Sequence, residues 1–382
     1  MPASRVAAVR CSSYEAATVD AAVTRGIGLL GGAERFARSG ERLVLKPNLL
    51  VASAPDKAVT THPTVFAAVA RVLQEHGAVL QWGDSPGFGS TEGAGSRAGI
   101  KSAAAALGMA TADFSHGRQV PFPDGRLIKQ FTVARGVVDA DGLVSLPKLK
   151  THALTRMTGA IKNQFGCIPG MLKGEFHTRM PDVDRFAQML VDLNRFLRPR
   201  LYVMDAIVAM EGNGPRSGDP REVGVLLLSD DPVAIDALGC RIMNLDPALV
   251  ETIVWGERFG LGTAGDIEIV GDDLPVVHDF VVERGHTPTT GGSLGSKTGK
   301  RLLAPRPYVI TERCTRCGTC VEVCPVQPKA VTLPDATSGG PPEWDYGACI
   351  RCYCCQEMCP ERAVEVTTPA LGRCQGKQGF NF

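Results

Sequence analysis

The chain has 382 residues, 44% hydrophobic and 21% charged, a composition that suits two or three globular domains and excludes a small disulfide-stapled fold. With 41 basic and 40 acidic residues the formal charge is +1, so no global field points to nucleic acid or a membrane surface. No run approaches the roughly 18 apolar residues that cross a bilayer, and residues 1–10 lack the apolar stretch of a signal peptide. A cytoplasmic protein is expected, and 13 cysteines in a reducing compartment point to metal or redox chemistry. Three Trp and five Tyr make no stacking platform for nucleic acid.

Along the chain, short apolar runs at 42–45, 78–82, 142–146, 201–204 and 223–228 read as buried strands. Amphipathic stretches at 62–75, 96–107, 182–196 and 232–243 read as helices. This alternation predicts an α/β domain over residues 1–285, with a largely parallel sheet flanked by helices. Ligands in such sheets bind beyond the carboxyl ends of the strands. Four runs end in polar loops: Lys46-Pro47-Asn48, Gly83-Asp84-Ser85, Lys148 to His152, and Asp205 followed by Glu211 to Pro215. Lys148 and Lys150 are expected on one face of a continuing strand.

Neutrality conceals a dipolar chain. Residues 145–200 carry ten Lys/Arg and four Asp/Glu, whereas residues 201–275 carry four and fourteen. Lys46, Lys148, Lys150, His152, Lys162, Asn163 and His177 are candidates to hold an anionic substrate, because ammonium and imidazole donors pair with carboxylate, phosphate or enolate oxygens. Asn48, Asp84, Ser85, Glu211 and Asn213 complete the candidate binding set. Asp84, Asp205, Glu211 and Asp236 offer hard-cation ligands but without a fixed metal-ligand spacing; the other reading is helix caps or turns, and Asp84 and Asp205 read equally either way. A flavin has no supporting motif. Residues 260–265 match G-x-G-x-x-G, but after a helical stretch and before a strand, the reverse of a dinucleotide fingerprint, so they read as a turn. Residues 286–307 are a linker by composition; the P-loop-like 295–298 within it lacks the Gly-Lys pair and follows no strand.

Ten of the cysteines crowd into residues 314–374. Cys314, Cys317, Cys320 and Cys324 before Pro325 spell C-x₂-C-x₂-C-x₃-C-P, and Cys349, Cys352, Cys355 and Cys359 before Pro360 repeat it. Three thiolates at this spacing wrap one face of a cubane while the fourth reaches a second cluster. Zinc knuckles share part of the spacing, but two identical four-cysteine runs exceed a zinc ribbon. Cys354 reads as a small filler residue and Cys374, in a tail at 369–382, as a free thiol.

Residues 308–368 resemble the bacterial two-cluster ferredoxins, small α+β domains. That resemblance implies one [4Fe–4S] cluster on Cys314, Cys317, Cys320 and Cys359, and a second on Cys349, Cys352, Cys355 and Cys324. Upstream, Lys46-Pro47-Asn48-Leu49-Leu50, Thr60-Thr61-His62-Pro63, Gly83-Asp84-Ser85-Pro86-Gly87, Lys148-x-Lys150-x-His152, Ala160 to Gly170, and Met210 to Pro215 resemble the family of domain of unknown function 362. The likeness runs over residues 5–271, and the family is often fused to a two-cluster module. It implies an architecture and supplies no established reaction.

Joined, these features predict an iron–sulfur oxidoreductase: a low-potential reductase passing single electrons from two [4Fe–4S] clusters to an anionic or carbonyl-containing unsaturated molecule in the first domain. The lysines would stabilise charge on substrate oxygen, with His152, His177 or Cys167 as proton donor. An external ferredoxin, flavodoxin or reductase would supply the electrons. The alternative is a ferredoxin-type carrier or docking protein with no small-molecule turnover.

Overall fold

The computed structural model describes residues 3–285, 304–335 and 339–367. The P-loop-like stretch, most of the expected linker and the tail with Cys374 lie outside the described residues.

A ten-stranded sheet organises the first domain. Its main path runs Ile267–Gly271, Ser4–Arg10, Asp219–Ser229, Leu201–Glu211, Gly142–Leu146, Arg42–Pro47, Val79–Trp82 and Ala110–Thr111. Pairing is parallel all the way from Leu201–Glu211 to Ala110–Thr111. Only Asp219–Ser229 runs against both its neighbours on this path.

Strand residues alternate between two apolar cores, which makes a three-layer sandwich. Val6, Ala8, Tyr202, Met204, Val225 and Leu227 face one core with the helices Val183–Leu197 and Pro232–Ile242. Ala7, Val9, Leu201, Val203, Leu226 and Leu228 face the other, with the helices Ala16–Leu29 and Pro63–Glu75. A sheet covered on both faces gives the continuous apolar runs read in the sequence. Helix starts are signalled locally: Pro63 and Pro232 occupy first turns, and Asp182 and Asp231 accept backbone N–H groups of Arg185 and of Val233 and Ala234.

Three local expectations change. Residues 96–107 form two helices, Thr91–Arg97 and Ile100–Ala106, because Gly99 between them takes a left-handed conformation at φ 75°. The strand ending at Leu146 does not continue through the lysines. Pro147 offers no N–H, and Lys148–His152 is a separate strand, parallel to Leu201–Glu211 and antiparallel to Arg156–Thr158. The first strand, Ser4–Arg10, and the helix Ala16–Leu29 are alanine-rich and escaped the apolar-run reading. Residues 260–265 do form a helix-to-strand turn, with the Thr263 N–H donated to Asp231. Among the described residues no helix is long and apolar enough to cross a membrane.

The cysteine-rich region is a small α+β unit. Arg306–Val309 pairs antiparallel with Val364–Thr367, Val331–Thr332 with Glu343–Trp344, and the short helices Thr319–Glu322 and Cys354–Met358 lie between.

Asp236 ties sequence to site. Wholly enclosed in the helix Pro232–Ile242, it accepts the N–H groups of Ala160 and Ile161 at 2.6 and 3.1 Å and anchors the short helix Ala160–Asn163. Asp236→Ala strands both donors, and a loss of roughly 2–4 kcal/mol in urea unfolding is expected. A loss under 1 kcal/mol would contradict this anchoring role.

Candidate functional site at the domain junction

Strand-end loops of the α/β domain and the helix Cys354–Met358 of the cysteine-rich unit enclose a cleft of about 1020 Å³. From the first domain come Asn48, Asp84, Ser85, Lys150, His152, Lys162, Asn163 and His177, eight of the thirteen candidates read in the sequence. Phe88, Phe165 and Met171 add apolar surface, and Glu322, Cys354, Glu357 and Met358 close the cleft from the other unit.

Behind the cleft wall, Lys46 is wholly buried, with Nζ 2.8 Å from Asp84 Oδ1 and 3.2 Å from Asn163 Oδ1. Asp84 also accepts the Leu49 N–H, and Asn163 donates to Ser145 Oγ at 2.9 Å. This lattice depends on Gly166, where a Cβ would lie 1.8 Å from Asp84 Oδ1 and 2.8 Å from Lys46 Nζ. Lys173, missed by the sequence reading, reaches Ser85 Oγ at 2.7 Å and Ile168 O at 3.0 Å.

The cleft concentrates unsatisfied polarity. Ten buried side-chain polar atoms lack a hydrogen-bond partner among the described residues, and five line this one cleft: Asn48 Oδ1, Asp84 Oδ1, His152 Nε2, Thr158 Oγ1 and Glu357 Oε1. Asp84 Oδ1 touches Lys46, and His152 Nε2 stands 3.2 Å from Glu357 Oε1, but neither contact is aligned as a hydrogen bond. Buried polar groups without an aligned hydrogen bond are rare, so their convergence makes this cleft the candidate binding site. The Lys162 ammonium accompanies them, 5.5 Å from the centroid of the Phe165 ring and without a hydrogen bond or ion pair among the described residues.

Burial dominates the electrostatics. Desolvation pushes Lys150 well below the ordinary lysine range, with Lys162 adding repulsion. It pushes Lys162 down against the pull of Glu357, and Lys173 to about 8. Glu357 is pushed up, with Lys162 and Lys150 opposing. His152 lies well below its usual value, and its Nδ1 accepts the Leu154 N–H at 3.0 Å, which leaves the ring proton on Nε2, toward Glu357. His177, stacked on Phe186 at 4.6 Å, falls to about 3 and is neutral near pH 7.

Five predicted residues lie elsewhere. Lys46 acts from behind the wall. Lys148 is claimed by Asp205 and Tyr14, each at 2.8 Å, in a closed network that does not open on the cleft. Cys167 is fully buried and outside the lining, its thiol raised to about 12 by desolvation. Glu211 turns to Arg221 and the Val281 N–H. Asn213 sits at the junction itself, its Oδ1 2.6 Å from Gln356 Nε2. The acidic stretch 201–275 frames no part of the site; it contributes only Pro215. Asp205, Glu211 and Asp236 are each engaged by side chains or backbone N–H groups and do not converge.

The cysteines sort into two sets. Cys314, Cys317, Cys320 and Cys359 surround one cavity of about 350 Å³. Cys324, Cys349, Cys352 and Cys355 surround another of about 320 Å³. Each set joins three thiols of one run to the last thiol of the other, the arrangement that fits a cubane cluster. Cys354, read as filler, lines both the second cavity and the cleft.

The fold and site thus define a protein with an α/β domain carrying a ferredoxin-type iron–sulfur unit. Residues 43–241 match the family described as Domain of unknown function (DUF362), and residues 306–360 match the 4Fe-4S dicluster domain. The chain is 40% identical over 264 residues to a thylakoid-associated protein of Synechocystis sp., covering 69% of this chain and 82% of that one. It belongs to the DUF362 family, joined here to an iron–sulfur domain that supports a role in electron transfer. Among solved structures, lactate racemase apoprotein from Thermoanaerobacterium thermosaccharolyticum aligns at 11% identity and a TM-score of 0.41, over 64% of this chain and 57% of that one. A protein from Thermotoga maritima aligns at 12% identity and a TM-score of 0.29, over 55% and 54%. The chain therefore spans less than two thirds of either solved protein.

Two outcomes test the site's construction. Gly166→Ala forces Asp84 from Lys46 and should cost roughly 1–3 kcal/mol in denaturant unfolding; an unchanged midpoint would contradict the packing. For His177, the folded value of about 3 lies below the ordinary histidine value of 6.5, so between these the unfolded chain binds a proton that the folded chain does not. Stability must therefore fall as pH drops. His177→Phe should remove about 1 kcal/mol of the loss between pH 6.5 and 5.5. Equal pH slopes for the two proteins would refute the buried neutral ring.

Proposed function

We propose that this protein is an iron–sulfur oxidoreductase, a low-potential reductase whose substrate is a small anionic or carbonyl-containing unsaturated molecule held in the junction cleft. The convergence in one cleft of Asn48 Oδ1 and Thr158 Oγ1, which have no hydrogen-bond partner among the described residues, with the His152–Glu357 pair and the Lys162 ammonium carries this reading. Cys354 supports it, because the cleft shares that wall with one of the four-cysteine cavities. The cysteine sets would hold two [4Fe–4S] clusters, which when bound supply single electrons.

The chain's own residues do the rest. Lys162 presents an ammonium whose charge burial disfavours until an anion joins it, which suits it to a carboxylate or to an oxygen that gains charge during reduction. Phe165 and Met171 offer an apolar bed, and the Lys46–Asp84–Asn163 lattice fixes the wall from which Asn48 orients the substrate. His152 holds its proton at Nε2 on the cleft side, beside Glu357, where it can be handed on. An external one-electron carrier supplies the reducing equivalents.

Anaerobically purified protein should contain about eight iron and eight sulfide per chain. After chemical reduction it should be reoxidised by a member of a panel of 2-oxo and α,β-unsaturated carboxylates, roughly a hundredfold more slowly in Lys162→Gln. If no panel member reoxidises it while a ferredoxin does so, equally fast with Lys162→Gln, the protein is a carrier and the reading fails.

A further inference from the structure

We propose that Arg216, a residue of the α/β domain, raises the reduction potential of the cluster held by Cys314, Cys317, Cys320 and Cys359 and leaves the other cluster's potential unchanged. Arg216 follows Pro215 in the loop beyond the strand Leu201–Glu211, part-buried where the two units meet. Its Nη1 donates to the carbonyl of Met358, the peptide group whose nitrogen belongs to Cys359. A side chain of one domain is thereby fastened to the backbone of a cluster ligand in the other.

Burial disfavours the guanidinium, and the charges that offset this are Cys359, Cys317 and the exposed carboxylate of Glu361. Both thiols belong to the same four-cysteine set, and Glu361 lines the same cavity. Cys359, whose peptide Arg216 holds, lines the first cavity and not the second. Arg362 holds the contact in place by donating to the Gly218 carbonyl, two residues beyond Arg216.

A cluster that gains an electron becomes more negative by one charge. A fixed cation nearby stabilises the reduced form more than the oxidised form and raises the potential. An arginine suits a fixed charge here, since the guanidinium stays protonated when partly desolvated. The α/β domain would in this way set the electronics of one cluster by docking against it. The inference requires loaded clusters and is independent of which molecule the cleft binds.

The test is an EPR-monitored redox titration of the full-length, cluster-loaded protein, with iron and sulfide content as the control for loading. In Arg216→Gln one of two couples should move to a lower potential with the other unchanged, and Arg216→Lys should restore most of the shift. Glu361→Gln, a change at an exposed residue, should move the same couple the opposite way. It keeps the proposal testable if Gln at position 216 spoils loading. Equal shifts of both couples, no shift in a loaded Arg216→Gln protein, or a Glu361→Gln effect on the other couple would overturn it.

Discussion

One buried amide holds the site together. Gln356, fully enclosed in the helix Cys354–Met358, places Nε2 2.6 Å from Asn213 Oδ1 and 3.1 Å from the carbonyls of Asn213 and Gly214. These acceptors lie in the loop that follows the central strand Leu201–Glu211. A buried carbonyl needs a donor, and here the donor comes from a segment over 140 residues away in the chain. The pairing sets where the iron–sulfur unit meets the sheet. Cys354, Glu357 and Met358, on the same short helix, face the cleft because Gln356 is anchored at its edge.

That placement changes the character of the strand-end loops. Lys150, Lys162 and Lys173 would be ordinary solvated cations on an open sheet edge. Covered by the second unit they lose water, and desolvation lowers all three, while the carboxyl of Glu357 is raised among them. The cost of burying such charges is usually offset by ion pairs or hydrogen bonds. Lys46 and Lys148 have those partners in Asp84 and Asp205 and serve as structure. Among the described residues Lys162 has no such partner, and it lines the cleft. Pairing therefore separates Lys46 and Lys148 from Lys162.

Much of this was legible in advance. The continuous apolar runs announced strands buried on both faces, and the polar loops after them announced the edge at which a site forms. The repeated cysteine spacing announced two four-thiol sets, each exchanging its last member. The errors have local physical causes. Lys148 and Lys150 looked equivalent because strand alternation puts them on one face; an acid on the neighbouring strand claimed the first and left the second. Glu211 and Asn213 looked like ligand contacts because their loop is polar, whereas its polarity serves Arg221, the Val281 N–H and the docking of Gln356.

The amino-acid sequence by itself determined the α/β class, the polar loops along one sheet edge and the repeated four-cysteine spacing of an iron–sulfur domain, since hydrophobic period, turn chemistry and cysteine spacing are short-range properties. Only the tertiary structure decided that the iron–sulfur unit forms a wall of the cleft, that Cys354 stands between a cluster cavity and that cleft, and that Arg216 reaches a cluster ligand's backbone. Those facts depend on contacts between segments more than a hundred residues apart. No periodicity or motif encodes such a contact; it exists only once buried polar groups on both surfaces have found one another.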